Sequence, residues 1–418
     1  MTAPAQKLYD LTQSYELWER AEAVIPFGGV YYTRSPKFVT FGEFPAFITA
    51  AEGCRLTDVD GNSYIDLMCA YGPIVLGYNH PAVEAAAAAQ QAKGNATSIL
   101  PAVMVELAET LVRRWDFADW AVFAKNGSDV TTLATRVARQ HTGKTKIVAA
   151  HEAYHGFDTW SVPGGVGIPE GHRSDMMYFT WNDVADFHEA LNRAGDDLAA
   201  VILSPVKHDA GHDIELPTPE FVAAVNDAVK RTGCVFIMDD IRMGFRLHAT
   251  GASHKALGWQ PHLVAYGKAL GNGHPIAALV GPEDLKFSTS RVYFSGTHFT
   301  AAVPMAAALA VLQAYDTERC YDRMVAAGTR LRDGLTAAAA KAGIGISYTG
   351  PVTMPNLLFE DDPGMKRIRE WSGLAARRGV IFHPRHNWFV SSAMSDADID
   401  EAVAVAEECF ALVARNSG

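Results

Sequence analysis

The stretch VFIMDD, residues 235–240, is a short apolar run that ends abruptly in the carboxylates Asp239 and Asp240. A second, mostly apolar run covers residues 262–267 and is followed directly by Lys268. Each run has the length and the bounds of a fully buried strand, and each delivers a charged side chain at its carboxyl end. Because open parallel sheets bind ligands at that edge, the two runs predict a ligand site containing a carboxylate and an amine.

An amine beside a carboxylate suits one cofactor chemistry well. A carboxylate keeps a pyridine nitrogen protonated, and a lysine forms a Schiff base with the aldehyde of pyridoxal 5′-phosphate (PLP). The competing interpretation is that Asp239 caps a helix and Lys268 lies on a solvated loop. These two residues alone do not favour either interpretation.

Helices alternate with apolar strands from about residue 100 to 285, which predicts a mainly parallel sheet with helices on both faces. One of these helices is expected to begin at Thr218, which caps it, with Pro219 in its first turn. The predicted strands are residues 147–150, 201–203, 235–238 and 276–280.

The two ends of the chain show other patterns. Asp60-Gly61 predicts a hairpin turn among antiparallel strands at residues 38–68, and helical patterns cover residues 301–314 and 397–414. We therefore expect an α/β protein with a large domain and a smaller α+β domain built from both chain ends. The expected segments are residues 1–68 (joining the small domain), 69–300 (the large domain) and 301–418 (the C-terminal part of the small domain).

Composition excludes several classes of function. The net charge of −11 argues against nucleic acid or an anionic membrane as the main partner, and 49% hydrophobic residues are ample for a large core. The chain has no run of about 20 apolar residues, and its first residues lack a signal-peptide core. The cysteines (Cys54, Cys69, Cys234, Cys320 and Cys409) are odd in number and form no CxxC pair, which favours buried thiols in a cytoplasmic protein.

Further segments offer groups for a ligand. Asn126-Gly127-Ser128-Asp129 precedes a helical pattern, and a helix start with a glycine favours an anion such as phosphate, although a plain helix cap is the simpler interpretation. Ser295–His298 precedes a helix in the same way, but alone it indicates only a turn. Tyr154-His155-Gly156 follows a predicted strand, where an aromatic ring can stack on a flat cofactor or simply pack in the loop.

Two arginines and two histidines complete the candidates. Arg34 and Arg385 are able to hold a carboxylate through paired hydrogen bonds, although a solvated surface is the commoner place for an arginine. His208 and His212 have a spacing of four, but Gly211 between them disfavours a helix, and we expect no metal site there.

Together these segments resemble a PLP enzyme of fold type I, and specifically the class III aminotransferase family. The resemblance runs from about Pro26 to Val405 and is nearest to the branch of glutamate-1-semialdehyde aminomutase and the β-amino-acid transaminases. The matching stretches are residues 28–30, 56–66, 76–81, 154–156, 239–246 and 267–273.

The resemblance implies a role for each candidate. Lys268 would carry the Schiff base and Asp239 would pair with the pyridine nitrogen. Asn126, Gly127 and Ser128 would hold the phosphate, with Tyr154 stacked on the ring and His155 beside it. Thr297 would reach the phosphate in the other subunit, which implies a homodimer with active sites at the subunit interface. The family arginines that bind substrate carboxylates correspond to Arg34 and Arg385.

The chain departs from the family pattern at several places. The usual Ser-Gly-Thr-Glu is Asn126-Gly127-Ser128-Asp129, the usual Asp-Glu is Asp239-Asp240, and a usual Glu-Pro-Val is Ser204-Pro205-Val206. His274 replaces a hydrophobic residue. The lysine and its aspartate partner are retained, so the expected core chemistry is retained as well.

The expected reaction moves an amino group between an amino acid and a keto acid, with β- and aromatic amino acids among the expected donors. Phe27, Tyr31, Tyr32, Tyr71 and Trp388 either form an aromatic substrate pocket or belong to the core. An aminomutase of the glutamate-1-semialdehyde type and an amino-acid racemase are alternatives within PLP chemistry. Two further classes are a nicotinamide-dependent oxidoreductase, which the incomplete glycine motif at residues 271–273 argues against, and a scaffold without activity.

Overall fold

We describe a computed structural model of the chain, covering residues 8–29, 34–162 and 164–416. Contacts concentrate in two units. The first unit contains the described residues up to His80, the segment Ala210–Ile214 and the residues from Asp322 onward. The second unit contains Pro81–Asp209 and Glu215–Tyr321.

A mixed sheet forms the centre of the second unit. Its strands are β4 (Trp120–Ala124), β5 (Lys146–Ala150), β6 (Met176–Phe179), β7 (Leu198–Leu203), β8 (Val235–Asp239), β9 (Leu263–Tyr266) and β10 (Ala277–Gly281). Within the described residues the strand order is β4-β10-β9-β8-β7-β5-β6, and β10 runs antiparallel to both β4 and β9 while the other pairs are parallel.

The middle strands are apolar up to their carboxyl ends because both faces are covered. Every residue of β7 and β8 is buried, including Asp239 at the end of β8. The surrounding helices begin at recognisable signals; Thr218, for example, accepts a hydrogen bond from Phe221 N at 3.2 Å. These helices are α2 (Pro81–Gln91), α3 (Val103–Arg114), α4 (Gly127–Thr142), α5 (Val184–Ala194), α6 (Pro219–Thr232), α7 (Ser253–Leu257), α8 (Glu283–Arg291) and α9 (Ala302–Thr317).

The first unit combines small sheets with helices. Strands β1 (Ile48–Glu52), β2 (Arg55–Asp58) and β3 (Ser63–Asp66) are antiparallel, and β13 (Val380–Ile381) joins β3 in parallel. The predicted Asp60-Gly61 turn connects β2 to β3, with Gly61 at φ 85°. The remaining elements are β11 (Ile346–Thr349), β12 (Asn356–Phe359), α1 (Thr12–Val24), α10 (Cys320–Ala342), α11 (Lys366–Ala376) and α12 (Asp396–Asn416).

An unusual turn follows β3 in the first unit. Cys69, Ala70 and Tyr71 all have positive φ, at 44°, 53° and 68°, and Gly72 follows at 109°. We call residues 69–72 the left-handed turn. Each non-glycine residue in this conformation costs about 1–2 kcal/mol. The buried carboxylate of Asp66 compensates, because it accepts hydrogen bonds from Met68 N at 2.8 Å and from Tyr78 Oη at 2.6 Å.

The predicted α/β class with a mainly parallel sheet is confirmed. The strand expected at residues 276–280 is present as β10, but it runs against its neighbours, and the expected series of strands did not include β4 and β6. The domain boundaries after residues 68 and 300 stay a proposal. None of the described helices combines the length with the apolar character needed to cross a membrane.

Candidate active site

Asp239 and His155 meet at the edge of the sheet where the parallel strands end. Asp239 closes β8, and His155 lies in the loop after β5; both strands pair with β7, so their carboxyl ends share one edge of the sheet. His155 Nδ1 lies 2.8 Å from Asp239 Oδ2, and the two residues are 3% and 7% exposed. Ile241 N donates to the other carboxylate oxygen at 3.2 Å. The Asp239 carboxylate is therefore held in one orientation.

The surroundings of His155 fix which ring nitrogen carries its proton. Nδ1 faces a carboxylate and must donate to it, whereas Nε2 is buried without a hydrogen-bond partner among the described residues. We therefore assign a proton to Nδ1, which donates to the Asp239 carboxylate. The His155 carbonyl accepts from Thr131 Oγ1 at 2.6 Å, which ties the loop to α4.

Lys268 follows β9 at the same edge of the sheet. Its backbone is in the left-handed region, at φ 42°, and such strain in a non-glycine residue is common at functional sites. Burial lowers the pKa of Lys268 to about 7, with a further lowering from Arg242 and Arg246 that Asp239 partly opposes. A large fraction of the amine is therefore neutral near pH 7, as imine formation and proton abstraction require.

Arg242 is the residue that the sequence interpretation missed. It lies in the turn after Asp239, and its Nη1 donates to the His208 carbonyl at 3.3 Å. Its charge acts on Asp239, on Lys268 and on the Tyr154 hydroxyl, which locates it among these groups. The available signal was its position three residues after Asp239, since a turn that follows a strand stays near the end of that strand.

Tyr154 lies next to His155 and remains 45% exposed. Burial raises the pKa of its hydroxyl, Arg242 opposes this and Asp239 adds to it. The ring is thus near the Asp239 carboxylate and accessible, as a stacking role requires. That role stays a prediction.

The start of α4 offers donors to an anion. Asp129 Oδ2 accepts from Asn126 N at 2.8 Å, which fixes the first turn. The first backbone N–H groups of a helix, here those of Gly127 and Ser128, have no partner within the helix. Ser128 Oγ accepts from Phe157 N at 2.7 Å, so its own proton is available to a ligand. This arrangement suits a phosphate.

Two glycines keep this region closely packed. A Cβ on Gly156, which has φ 136°, would lie 2.6 Å from Ser128 Oγ and 2.8 Å from Ser128 Cα. A Cβ on Gly127 would lie 2.5 Å from Ile241 Cδ1. The loop after β5 therefore approaches the start of α4 at a distance that only glycine permits, and the turn after β8 packs its Ile241 side chain against Gly127.

The turn at Ser295–His298 borders the same region. A cavity of about 470 Å³ is lined by Ser128, Phe157 and Ser295, among others. Thr297 itself is exposed. Its expected contact with a phosphate in a second subunit stays a prediction.

Arg34 and Arg385 both belong to the first unit. The Arg34 guanidinium carbon lies 5.0 Å from the centre of the Tyr71 ring, and Nη2 donates to the Ala70 carbonyl at 3.2 Å. The Tyr71 ring packs edge-on against His386 at 5.1 Å, in the turn that carries Arg385. Tyr71 thus links Arg34 to that turn.

The aromatic residues of the predicted substrate pocket lie in different surroundings. Trp388 is fully buried against Trp371 and Phe382, so it belongs to the core of the first unit. Phe27 is 74% exposed, and Tyr31 and Tyr32 lie outside the described residues.

Within the described residues, no three His, Cys, Asp or Glu side chains form a group suited to a metal.

The groups gathered in the second unit fit PLP. Lys268 supplies an amine with a lowered pKa, Asp239 supplies a carboxylate held by His155, and the start of α4 supplies donors for a phosphate. When bound, PLP supplies an aldehyde for the lysine and a protonated ring that withdraws electrons.

We predict that Arg242→Met raises the pKa of Lys268 from about 7 towards the ordinary 10.5, because a nearby positive charge that disfavours the ammonium is removed. The measurement is the pH dependence of labelling of Lys268 by an amine-reactive reagent in cofactor-free protein, followed by peptide mapping. Arg242→Lys keeps the charge and is the control, with a midpoint near that of the wild type. An unchanged midpoint in Arg242→Met would contradict this role.

Comparisons with known proteins identify the family. The family model described as aminotransferase class-III matches residues 39–405. The aminopentol aminotransferase of Sphingopyxis macrogoltabida is 38% identical over 405 residues, covering 97% of this chain and 95% of the relative. The 3-aminobutyryl-CoA aminotransferase of Cloacimonas acidaminovorans (strain Evry) is 34% identical over 414 residues, covering 98% and 99%.

A solved structure extends the likeness to the fold. The FumI protein of a Sphingopyxis species, in its PLP internal aldimine form, has a TM-score of 0.95 and 37% identity, covering 97% of each chain. The predicted fold type and cofactor are confirmed. The chain belongs to the class III aminotransferase family and is a PLP-dependent aminotransferase of fold type I.

Proposed function

We propose that Lys268 binds the cofactor and then serves as the base of the transfer reaction, with Asp239 as the partner of the pyridine nitrogen. The observation that carries this proposal is the amine of lowered pKa and the oriented carboxylate at one edge of the sheet. Once released by the substrate amine, Lys268 Nζ takes the proton from the carbon that bears the amino group. Asp239, held by His155, keeps the ring nitrogen protonated while electrons develop at that carbon.

Asn126, Gly127 and Ser128 anchor the phosphate through the start of α4, and Tyr154 stacks on the ring. His155 acts through Asp239, because its Nδ1–H is directed at the carboxylate. Burial lowers the pKa of Lys268 most, and the charge of Arg242 lowers it further, so both favour the neutral amine.

The donor that we propose carries its amine on a secondary carbon and a carboxylate further along, as in a β-amino acid. One relative is named for 3-aminobutyryl-CoA, whose amine lies on the third carbon, and another for an aminopentol. Arg34 and Arg385 add charge complementarity to a carboxylate on the donor or on the keto acceptor. An aminomutase or a racemase is the alternative, and the discriminating observation is whether turnover requires a keto acid.

Lys268→Ala is expected to abolish transfer of an amino group to pyruvate or 2-oxoglutarate, because both the covalent anchor and the base are lost. The visible absorbance of the lysine-linked cofactor should vanish, and borohydride should no longer attach the cofactor to the chain. Lys286→Ala, at an exposed lysine on α8, is the matched control and should behave as the wild type. A Lys268→Ala protein that keeps either signal would rule out the assignment.

Arg34→Ala is expected to raise KM for 3-aminobutanoate by roughly tenfold or more, the size of one lost charge-assisted hydrogen bond. The KM for 2-aminobutane, in which a methyl group replaces the carboxylate, should hardly change. Initial rates with both donors and a fixed acceptor measure the difference. Equal effects on the two donors would remove Arg34 from carboxylate binding.

A homodimer and a cytoplasmic location complete the proposal. Exposed apolar side chains in the second unit support an interface: Ile99, Leu100, Phe287 and Tyr293 are 84%, 63%, 74% and 82% exposed. The five cysteines are buried and none forms a disulfide, as a reducing compartment favours. Cell fractionation tests the location.

Light scattering should give about twice the chain mass of 45.2 kDa. Thr297→Ala should weaken cofactor retention on dialysis without changing that mass, because it removes a phosphate contact made across subunits. A monomeric mass, or full retention of the cofactor by Thr297→Ala, would contradict the proposed sharing of sites.

A further inference from the structure

The left-handed turn is held from within by one carboxylate. Asp66 is 2% exposed and accepts from Met68 N at 2.8 Å and Tyr78 Oη at 2.6 Å, and the N–H groups of Cys69 and Ala70 also hydrogen-bond to it. Tyr71 N donates to the Met68 carbonyl at 2.7 Å. Because three residues of the turn are in a conformation that L-residues avoid, these hydrogen bonds are what keep it in place.

The same turn holds Arg34 in two ways. The Ala70 carbonyl accepts from Arg34 Nη2 at 3.2 Å, and the Tyr71 ring lies under the guanidinium, with its centre 5.0 Å from the central carbon. A guanidinium that lies over a ring and is tied at one nitrogen is restricted to few orientations. An arginine arranged in this way loses less side-chain freedom when it binds a carboxylate.

Two histidines also contact Tyr71. His386 packs edge-on against the ring at 5.1 Å and 83°, and His383 does so at 6.2 Å and 74°. The ring is therefore in contact with two histidines as well as with the guanidinium. A change in the turn will move the ring, and the ring will move Arg34.

We propose that Asp66 is a positioning residue for carboxylate recognition: through the left-handed turn it aligns Tyr71 and Arg34 and so sets the preference for acidic over neutral donors. The inference rests on the proposed carboxylate-binding role of Arg34. It differs from a purely structural role, in which loss of Asp66 would lower stability or activity towards every donor alike.

The test compares 3-aminobutanoate with 2-aminobutane in holoenzyme variants. Tyr78→Phe and Asp66→Asn should each raise KM for 3-aminobutanoate by about tenfold or more while kcat and the KM for 2-aminobutane stay within about threefold of the wild type. Tyr64→Phe is the matched control, because Tyr64 Oη donates to the buried Asp58 at 2.6 Å in the same unit without touching the turn. It should leave the preference unchanged.

A rescue variant tests the conformational step directly. Glycine adopts positive φ without the cost borne by alanine, so adding Ala70→Gly to Asp66→Asn should restore a large part of the lost affinity for the acid. If Asp66 had a purely structural role, adding Ala70→Gly would not restore the affinity for 3-aminobutanoate alone.

Three results would overturn the inference. The first is a KM for 3-aminobutanoate that stays at the wild-type value in both Tyr78→Phe and Asp66→Asn, and the second is an equal rise for the two donors. The third is an Arg34→Ala protein whose KM for 3-aminobutanoate is unchanged, which removes the proposed role of Arg34 as well.

The variants distinguish a failure of Asp66 from a failure of Arg34. If Arg34→Ala raises the KM for 3-aminobutanoate and the variants of Asp66 and Tyr78 do not, only the role of Asp66 fails. If Asp66→Asn does not fold, Tyr78→Phe decides alone.

Discussion

The hydrogen bond between His155 and Asp239 is the interaction on which the site depends. It joins the ends of two strands that are separated by β7, and it fixes a proton on Nδ1 of the histidine and the orientation of the carboxylate together. The Ile241 N–H fixes the second carboxylate oxygen. In the role that we propose for Asp239, the carboxylate must stay ionised and in place opposite a ring nitrogen. The hydrogen bond to His155 keeps it in place.

Charges of both signs act on the Lys268 amine. Asp239 favours the ammonium, while burial and the charges of Arg242 and Arg246 disfavour it more strongly. The outcome is an amine that loses its proton near pH 7 before any cofactor contributes its own charge. In the role that we propose for Lys268, the protein prepares the nucleophile in advance, as sites of covalent catalysis commonly do.

Local sequence patterns were sufficient to predict the strands before Asp239 and Lys268 and the helix that begins at Thr218. The apolar runs before Asp239 and Lys268 are strands because burial on both faces leaves no room for polar residues, and Thr218 caps its helix as its side chain favours. The direction of β10 was not predictable, because an apolar run has no polarity of its own. The left-handed turn was not predictable either, because Cys69, Ala70 and Tyr71 adopt it under the constraint of hydrogen bonds to Asp66. Arg242 acquires its role from neighbours that are distant in the sequence.

The antiparallel pairing of β9 with β10 has a consequence for how Lys268 moves. Tyr266 pairs with Ala278 across these strands, and Lys268 comes two residues after Tyr266, near the start of the ten-residue connection to β10. Its Cα is therefore close to a strand end that is anchored in the sheet. In the role that we propose for Lys268, the movement of the amine falls to the flexible stem of the side chain.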